Sequence, residues 1–456
     1  MFRKSYILIL ILALLSLTLT GCLRTRGGSS GPVDLTFYGL DNSDVFDPII
    51  SEYQQLYPAI RIKYKKFNDS RAFENLLVNE IAEGEGPDIF YLHNTWLPRH
   101  TKKIVPLVSD TLTPRKFPET FVNVSSEDFI QPDPTDGIRK IYALPLYVDT
   151  LALYYNKQDF EEKVPERGKP AGTWDQLKED AFKFQRQGED GKLQHGEIAL
   201  GRADNIRLSP KIFWNLLLQA GVNLYDSEFK QVQLTSGGQE SFDYFLSFAG
   251  TLNKNYSWST DLVPPDRPLA EVEAFLSGKV SAILAYSDLY ARLETELKNV
   301  KTRNPSAINL KDVKVAPIPQ IAEDEADYKA FADYYGLAVS RNSKNAAAAW
   351  SFIQFATGKS SAQVFHQKTK RPTARRDLIA DQKKEPVTDV FASQLGYAAS
   401  LRIFSDEKFE TIIKEAIQNA VNGQNSRDAL GNAQARINDL LKLEAPLGLY
   451  PKPKKK

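Results

Sequence analysis

Groups able to do covalent or metal chemistry are few in this chain of 456 residues. Cys22 is the only cysteine, so neither an intrachain disulfide nor a cysteine-based metal site can form. The four histidines, His93, His100, His195 and His366, lack the spacing of a metal-ligand pair. The Gly-x-Ser-x-Gly match Gly27 to Gly31 lies in a Gly/Ser-rich tether and not between a strand and a helix, so it makes no nucleophile elbow, and there is no His-Glu-x-x-His and no P-loop. Gly84-Glu85-Gly86 is followed by Ile89 where a dinucleotide fingerprint needs its third glycine. Two of the 57 acidic residues brought together by folding would still make a pair for glycoside hydrolysis, and sequence leaves that open. The sharpest candidate for ligand contact is the polar, aromatic loop His93-Asn94-Thr95-Trp96. It follows the apolar run Ile89 to Leu92, which reads as a strand buried on both faces, and ligands of open α/β sheets sit beyond the carboxyl ends of such strands.

The elements that must position this loop follow from periodicity. Val33, Leu35 and Phe37 alternate with Asp34 and Thr36, as a strand requires. Asp47-Pro48 reads as the start of a helix carrying Ile49, Ile50, Tyr53 and Leu56. Ile60 to Tyr64 alternates again, and Ser70 to Ala82 places Phe73, Leu76, Leu77 and Ile81 on one helical face. This β-α-β-α-β order predicts a parallel sheet covered by helices. Downstream, Ile141 to Asn156 reads as strand material, and Thr173 with Gln176 forms a capping box for a helix through Phe184. Lys211 to Ala220 is an apolar helix, and Phe275 to Tyr286 is helix end, turn and strand. Val313 to Pro319 and Gly336 to Ser340 are short strands, and Ser343 caps a helix. Two amphipathic helices, one through Phe409 and Ile417 and one through Leu430 and Leu441, fill the C-terminal part.

Composition fits a globular chain with several cores, 42% hydrophobic, and its balance of 58 basic against 57 acidic residues gives no nucleic-acid footprint. The tail Lys452, Lys454, Lys455, Lys456 reads as a solvated end. At the N-terminus, Arg3 and Lys4 precede an apolar run, Tyr6 to Leu19, shorter than the roughly 18 residues of a spanning helix, the pattern of a signal peptide. Leu19-Thr20-Gly21-Cys22 resembles the bacterial lipobox, in which the cysteine is lipidated and becomes the first mature residue; the alternative is an uncleaved anchor. Residues 22–32 then form a flexible tether.

Four stretches in order resemble the family 1 extracellular solute-binding proteins of ABC importers, which include maltose-binding protein. These are Gly86-Pro87-Asp88-Ile89; Ala143-Leu144-Pro145 through Leu153 to Lys157, with Thr173-Trp174; Phe275 to Lys279; and Gly336 to Ser340, leading through Trp350 to Pro372. The resemblance covers Val33 to Leu441, though Lys102-Lys103 and Pro98 depart from the family pattern. It implies an α/β, two-lobed periplasmic-binding-protein-like fold, each lobe a mostly parallel sheet flanked by helices, joined by a hinge. Lobe 1 would hold residues 33–147 plus 312–357, lobe 2 residues 148–311 plus 358–447, and 448–456 would be the basic tail.

The implied ligand is a neutral carbohydrate, such as an oligosaccharide or glycoside. Sugars offer apolar C–H faces and hydroxyl rims, so their sites use flat aromatic rings and hydroxyl acceptors. Phe73, Phe182, Phe245 and Phe355 fall on apolar helix faces and read as packing. Tyr38, Trp96, Tyr147, Trp214, Tyr286 and Tyr335 stand at strand ends or in loops that would face the cleft. Asp149 aligns with a family acid that binds hydroxyls, Asp41 with Asn42 follows the first strand, and Arg371 precedes Pro372; each has a plain structural alternative as a turn, hinge or surface group. No metal and no cofactor is implied. The implied partners are a carbohydrate, a membrane ABC permease and, through Cys22, a lipid anchor on the extracytoplasmic face, for a monomeric, non-catalytic receptor. A lipid-anchored ligand sensor would use the same fold, and a glycoside hydrolase is the remaining alternative.

Overall fold

The computed structural model describes residues 32–446, except 265, 266, 268 and 306. The signal segment, Cys22, most of the tether and the basic tail lie outside the described residues. Two separate hydrophobic cores define two lobes.

In the first lobe the expected alternation holds. Strand Val33–Gly39 buries Leu35 and Phe37 and pairs in parallel with Ile60–Lys66 and with Ile89–His93, all of whose residues are buried. Tyr335–Ser340 joins antiparallel to Ile89–His93, and Ile104–Val105 closes the order. The second lobe carries the order Arg186–Gln187, Leu193–Ile198, Val280–Ala285, Ala152–Asn156, Val313–Pro317, in which only the Leu193–Ile198 and Val280–Ala285 pair is parallel. Both sheets are therefore more mixed than a β-α-β repeat implies, because strands returning from the other lobe enter against the local direction.

The cores also show where the chain crosses. The first core runs to Val148 and the second begins at Leu151; the chain returns between Phe331 and Ala332 and crosses again between Ala374 and Leu401, a stretch in which Phe391 packs in the second core and Leu395 in the first. The crossing segments pair with one another: Ala330–Asp333 lies antiparallel to Asp149–Thr150 and parallel to Ala398–Ala399. This small three-stranded sheet is the hinge. Gln394, fully buried beside it, donates to Thr150 Oγ1 at 2.7 Å and the Leu151 carbonyl at 3.0 Å, and accepts from the Ile318 amide at 2.8 Å. Gly336 permits the approach of the first crossing, since a Cβ there would meet the Leu144 carbonyl at 2.8 Å and the Phe129 ring at 2.7 Å.

These crossings correct the expected boundaries. Val313–Pro317, expected in the first lobe, pairs along the whole of Ala152–Asn156 in the second. The Lys359–Thr369 helix, expected in the second lobe, packs on Ser43–Leu56 of the first, where Phe365 and Ala374 are core residues. Local details differ too. The first helix begins at Ser43, with Pro48 inside it. Ser343 accepts the Asn345 amide in a turn before the helix that begins at Ala346. Phe182 is 57% exposed, whereas its neighbour Phe184 is core. The Thr173 cap is present, its hydroxyl accepting the Gln176 amide.

Candidate functional site

Between the lobes lies a cavity of about 420 Å³, within the range of small-ligand sites. The first lobe contributes His93, Tyr147, Tyr335 and Arg371, and the hinge contributes Asp149 and Asp333. The second lobe contributes Lys211 and Tyr286, with Asp406, Glu407 and Glu410 from the Asp406–Val421 helix. Two other cavities, of about 320 and 470 Å³, are lined by second-lobe residues alone.

Asp333 ends the second crossing strand and gathers donors from both lobes. His93 Nε2 lies 2.7 Å from Oδ1, Lys211 Nζ pairs with Oδ2, and the Tyr286 hydroxyl donates to Oδ2 at 3.2 Å. Lys211 also meets Glu410 at 3.0 Å. Burial opposes the Asp333 charge, but Lys211 and His93 outweigh it and hold the carboxyl well below the usual range. The same balance runs the other way for the bases. Burial disfavours the His93 cation, yet Asp333 and Asp406 raise its pKa, and Asp333 with Glu410 raises that of buried Lys211.

Of the aromatic candidates, three line the cavity. Tyr286 stands at the end of the Val280–Ala285 strand. Tyr335 is flanked by the His93 ring at 4.8 Å and by Trp96, edge-on, at 5.8 Å. Tyr147 stacks on Phe365 at 5.8 Å and carries the Arg371 guanidinium over its ring at 4.6 Å, so little ring face is left for a ligand. Trp96 sits one layer behind the wall, 1% exposed, its indole N–H donating to Asp406 at 3.1 Å across the lobes. Trp214 is not at the cavity: it is fully buried in the second core against Phe213, because the helix Ser209–Gln219 is buried from Ser209 to Leu218 and turns Lys211, not Trp214, to the cavity. Tyr38 is also elsewhere, tilted against Phe67 at 5.0 Å with Lys65 over its ring.

The polar candidates divide similarly. Arg371 lines the cavity and is held by Asp41 at 2.6 Å. Asp41 itself lies behind the lining and also accepts the Tyr91 hydroxyl at 2.6 Å. Asp149 lines the cavity, but its carboxylate accepts the Ser287 hydroxyl at 2.6 Å and the Thr150 amide at 2.9 Å, which fastens hinge to second lobe; burial pushes its pKa up to about 7 against those hydrogen bonds. Lys211, Asp333, Asp406 and Glu410 carry no motif. A lysine in the first turn of a strongly apolar helix is the one signal in the sequence that pointed to any of them.

A Ser-His-Asp grouping exists in the second lobe, but not as a triad. The Ser281 hydroxyl donates to Asp159 at 2.7 Å and lies 3.3 Å from His195 Nε2, the same nitrogen that faces Asp159, while Nδ1 meets the Phe184 carbonyl. Ser281 is fully buried, and no relay from acid through base to nucleophile is formed.

Comparison with known proteins agrees with this geometry. A chain from Brucella abortus (strain 2308), which carries only the general name of a binding protein, is 23% identical over 436 residues, 91% of this chain and 94% of that one. The sugar-binding protein MalE of Xanthomonas citri superposes with a TM-score of 0.69 at 16% identity, covering 91% of this chain and 99% of that one. The GacH receptor of Streptomyces glaucescens, solved alone and with acarbose, superposes with a TM-score of 0.67 at 20% identity, covering 90% and 98%. The model of the bacterial extracellular solute-binding proteins matches residues 41–363. That match spans most of both lobes and the part of the cavity wall that precedes Arg371, and the chain belongs to the bacterial extracellular solute-binding proteins.

Proposed function

We propose that the chain is the receptor of an ABC importer, capturing a sugar or oligosaccharide in the interlobe cavity and handing it to a membrane permease. The observation that carries this reading is a cavity walled from both lobes by tyrosines and ionised groups, so that ligand contacts exist together only when the lobes meet. Sugar binding is also the named property of several relatives, among them a maltotriose-binding protein of Pyrococcus abyssi (strain GE5 / Orsay), 26% identical over 140 residues, 31% of this chain and 27% of that one. The receptor is non-catalytic and monomeric in this reading, with Tyr147, Asp149, Tyr286, Tyr335 and Arg371 at the ligand. A ligand sensor of the same fold is the second reading, and a glycosidase the third.

A thermal-shift screen over sugars, polyols, amino acids and polyamines tests the ligand class. A ligand at ~100 times its dissociation constant adds ~2.7 kcal/mol of stability. Stabilisation by amino acids alone sinks the carbohydrate reading, and cleavage of a bound oligosaccharide revives the hydrolase.

The receptor is held to the extracytoplasmic face of the membrane through Cys22. Radiolabelled palmitate should enter the wild type and be lost with Cys22→Ala. Label retained in that variant contradicts the anchor.

A further inference from the structure

We infer that the cavity takes a sugar of one or two rings and that direct contact between the lobes at Trp96 and Asp406 shuts out longer chains, an inference that rests on the carbohydrate reading. Size is the first reason. The space between the lobes is about 420 Å³. A pyranose with its hydroxyls takes on the order of 180 Å³, the liquid volume of about six waters. Two rings therefore nearly fill the cavity, and a third exceeds it.

The wall also offers a third ring nothing to lie on. Of its three tyrosines, Tyr147 already has Phe365 stacked on it and Arg371 over its ring, which leaves Tyr286 and Tyr335 to meet sugar faces. Leu208 is the only aliphatic side chain among the described lining residues. The rest is polar and mixed in sign, with Arg207, Lys211 and Lys414 beside Asp406 and Glu410. Such a wall grips the hydroxyl rim of a small sugar through charge-assisted hydrogen bonds. Past Asp406 the cleft is shut by the lobes themselves. The Trp96 indole N–H of the first lobe donates to Asp406 of the second at 3.1 Å, and the Arg99 guanidinium lies 5.4 Å over the ring of Phe404, a second-core residue. Trp96 is 1% exposed, so this contact excludes solvent as well. Asp149 and Asp333 close the hinge side. A longer chain therefore extends only by parting the lobes, which breaks a hydrogen bond to a carboxylate and gains no ring face in return.

Titration calorimetry on the whole chain, with malto-, cello-, manno- and galacto-oligosaccharides each taken from one ring to four, reads the limit directly. In the series that binds, the one- or two-ring member should bind at least about tenfold more tightly than the three- and four-ring members, the scale of one hydrogen bond to a charged group. Trp96→Phe keeps an aromatic ring and removes the N–H, so a long chain no longer has that bond to break and the ratio should shrink severalfold. Affinity that holds or rises from two rings to four, a ratio unchanged in Trp96→Phe, or no binding by any short member overturns the inference. Long chains binding in their place leave the carbohydrate reading intact, whereas binding by amino acids or polyamines and by no sugar removes both.

Discussion

Trp214→Ala should lower folding stability by about 3–5 kcal/mol, the cost of truncating a fully buried aromatic. Trp214 is 0% exposed and packs in the second core with Phe213, which in turn meets Phe242 edge-on at 5.4 Å. Its indole N–H has no hydrogen-bond partner among the described residues, so Trp214→Phe removes no donor contact and should be far milder. Urea unfolding followed by tryptophan fluorescence and circular dichroism measures both variants. Ligand affinity below the unfolding transition should stay within a few-fold of wild type. A large loss of affinity at unchanged stability would show that the indole reaches the ligand after all.

Asp333→Asn should be nearly as damaging, by about 3–5 kcal/mol, because it strips the counter-charge from Lys211 and His93 together. The pH dependence of that loss is distinctive. Asp333 is depressed in the folded state, so its contribution is present above the unfolded value of about 3.9 and fades as pH falls through the folded one. His93 is raised, so its contribution is complete below about 6.5 and fades as pH rises through the folded value. The wild type should therefore lose stability above about pH 6.5, and Asp333→Asn should flatten that limb, leaving only what Asp406 supplies. Urea midpoints collected from pH 4 to 9 decide it. An unchanged alkaline limb in the variant would mean that another group titrates there.

What could be read from the sequence follows from how far apart the cooperating residues lie. The β-α-β-α-β start, the Thr173 cap and the Gly278 turn are local signals, and the structure contains all three, with Gly278 at φ +70°. The lobe boundaries were harder because Val313–Pro317 and Lys359–Thr369 look like any short strand and helix; only their partners, more than 150 residues away, assign them to a lobe. The site divides in the same way. Tyr286 and Tyr335 are found at strand ends, where periodicity places a ligand. Asp333, Lys211, Asp406 and Glu410 are ordinary charges on ordinary elements, made into one network by the crossings. Trp214 misleads because size and aromaticity do not distinguish an anchor for ligand from an anchor for core; the apolar neighbours Ile212, Phe213, Leu216 and Leu217 do. Asp333 lies far along the chain from Asp406, Glu407 and Glu410, which share one helix, so no local pattern marks these four acids as parts of one wall.

The position of Tyr335–Ser340 also bears on how the molecule is made. That strand lies inside the first sheet, between Ile89–His93 and Ile104–Val105, and it leaves the second lobe only after Phe331. During synthesis the first lobe therefore cannot complete its sheet when its own first 148 residues have emerged; it must wait until nearly two hundred more have followed. The pairings that finish it are among the most distant in the chain, and closing such loops is slow. The N-terminal portion thus spends the longest time as an open three-stranded edge, Ile89–His93 outermost and apolar on both faces. A chain arranged in this way stays unfolded for longer than its size alone would dictate, which suits a polypeptide that has to be threaded before it folds, and it makes that strand the point most in need of a chaperone's cover.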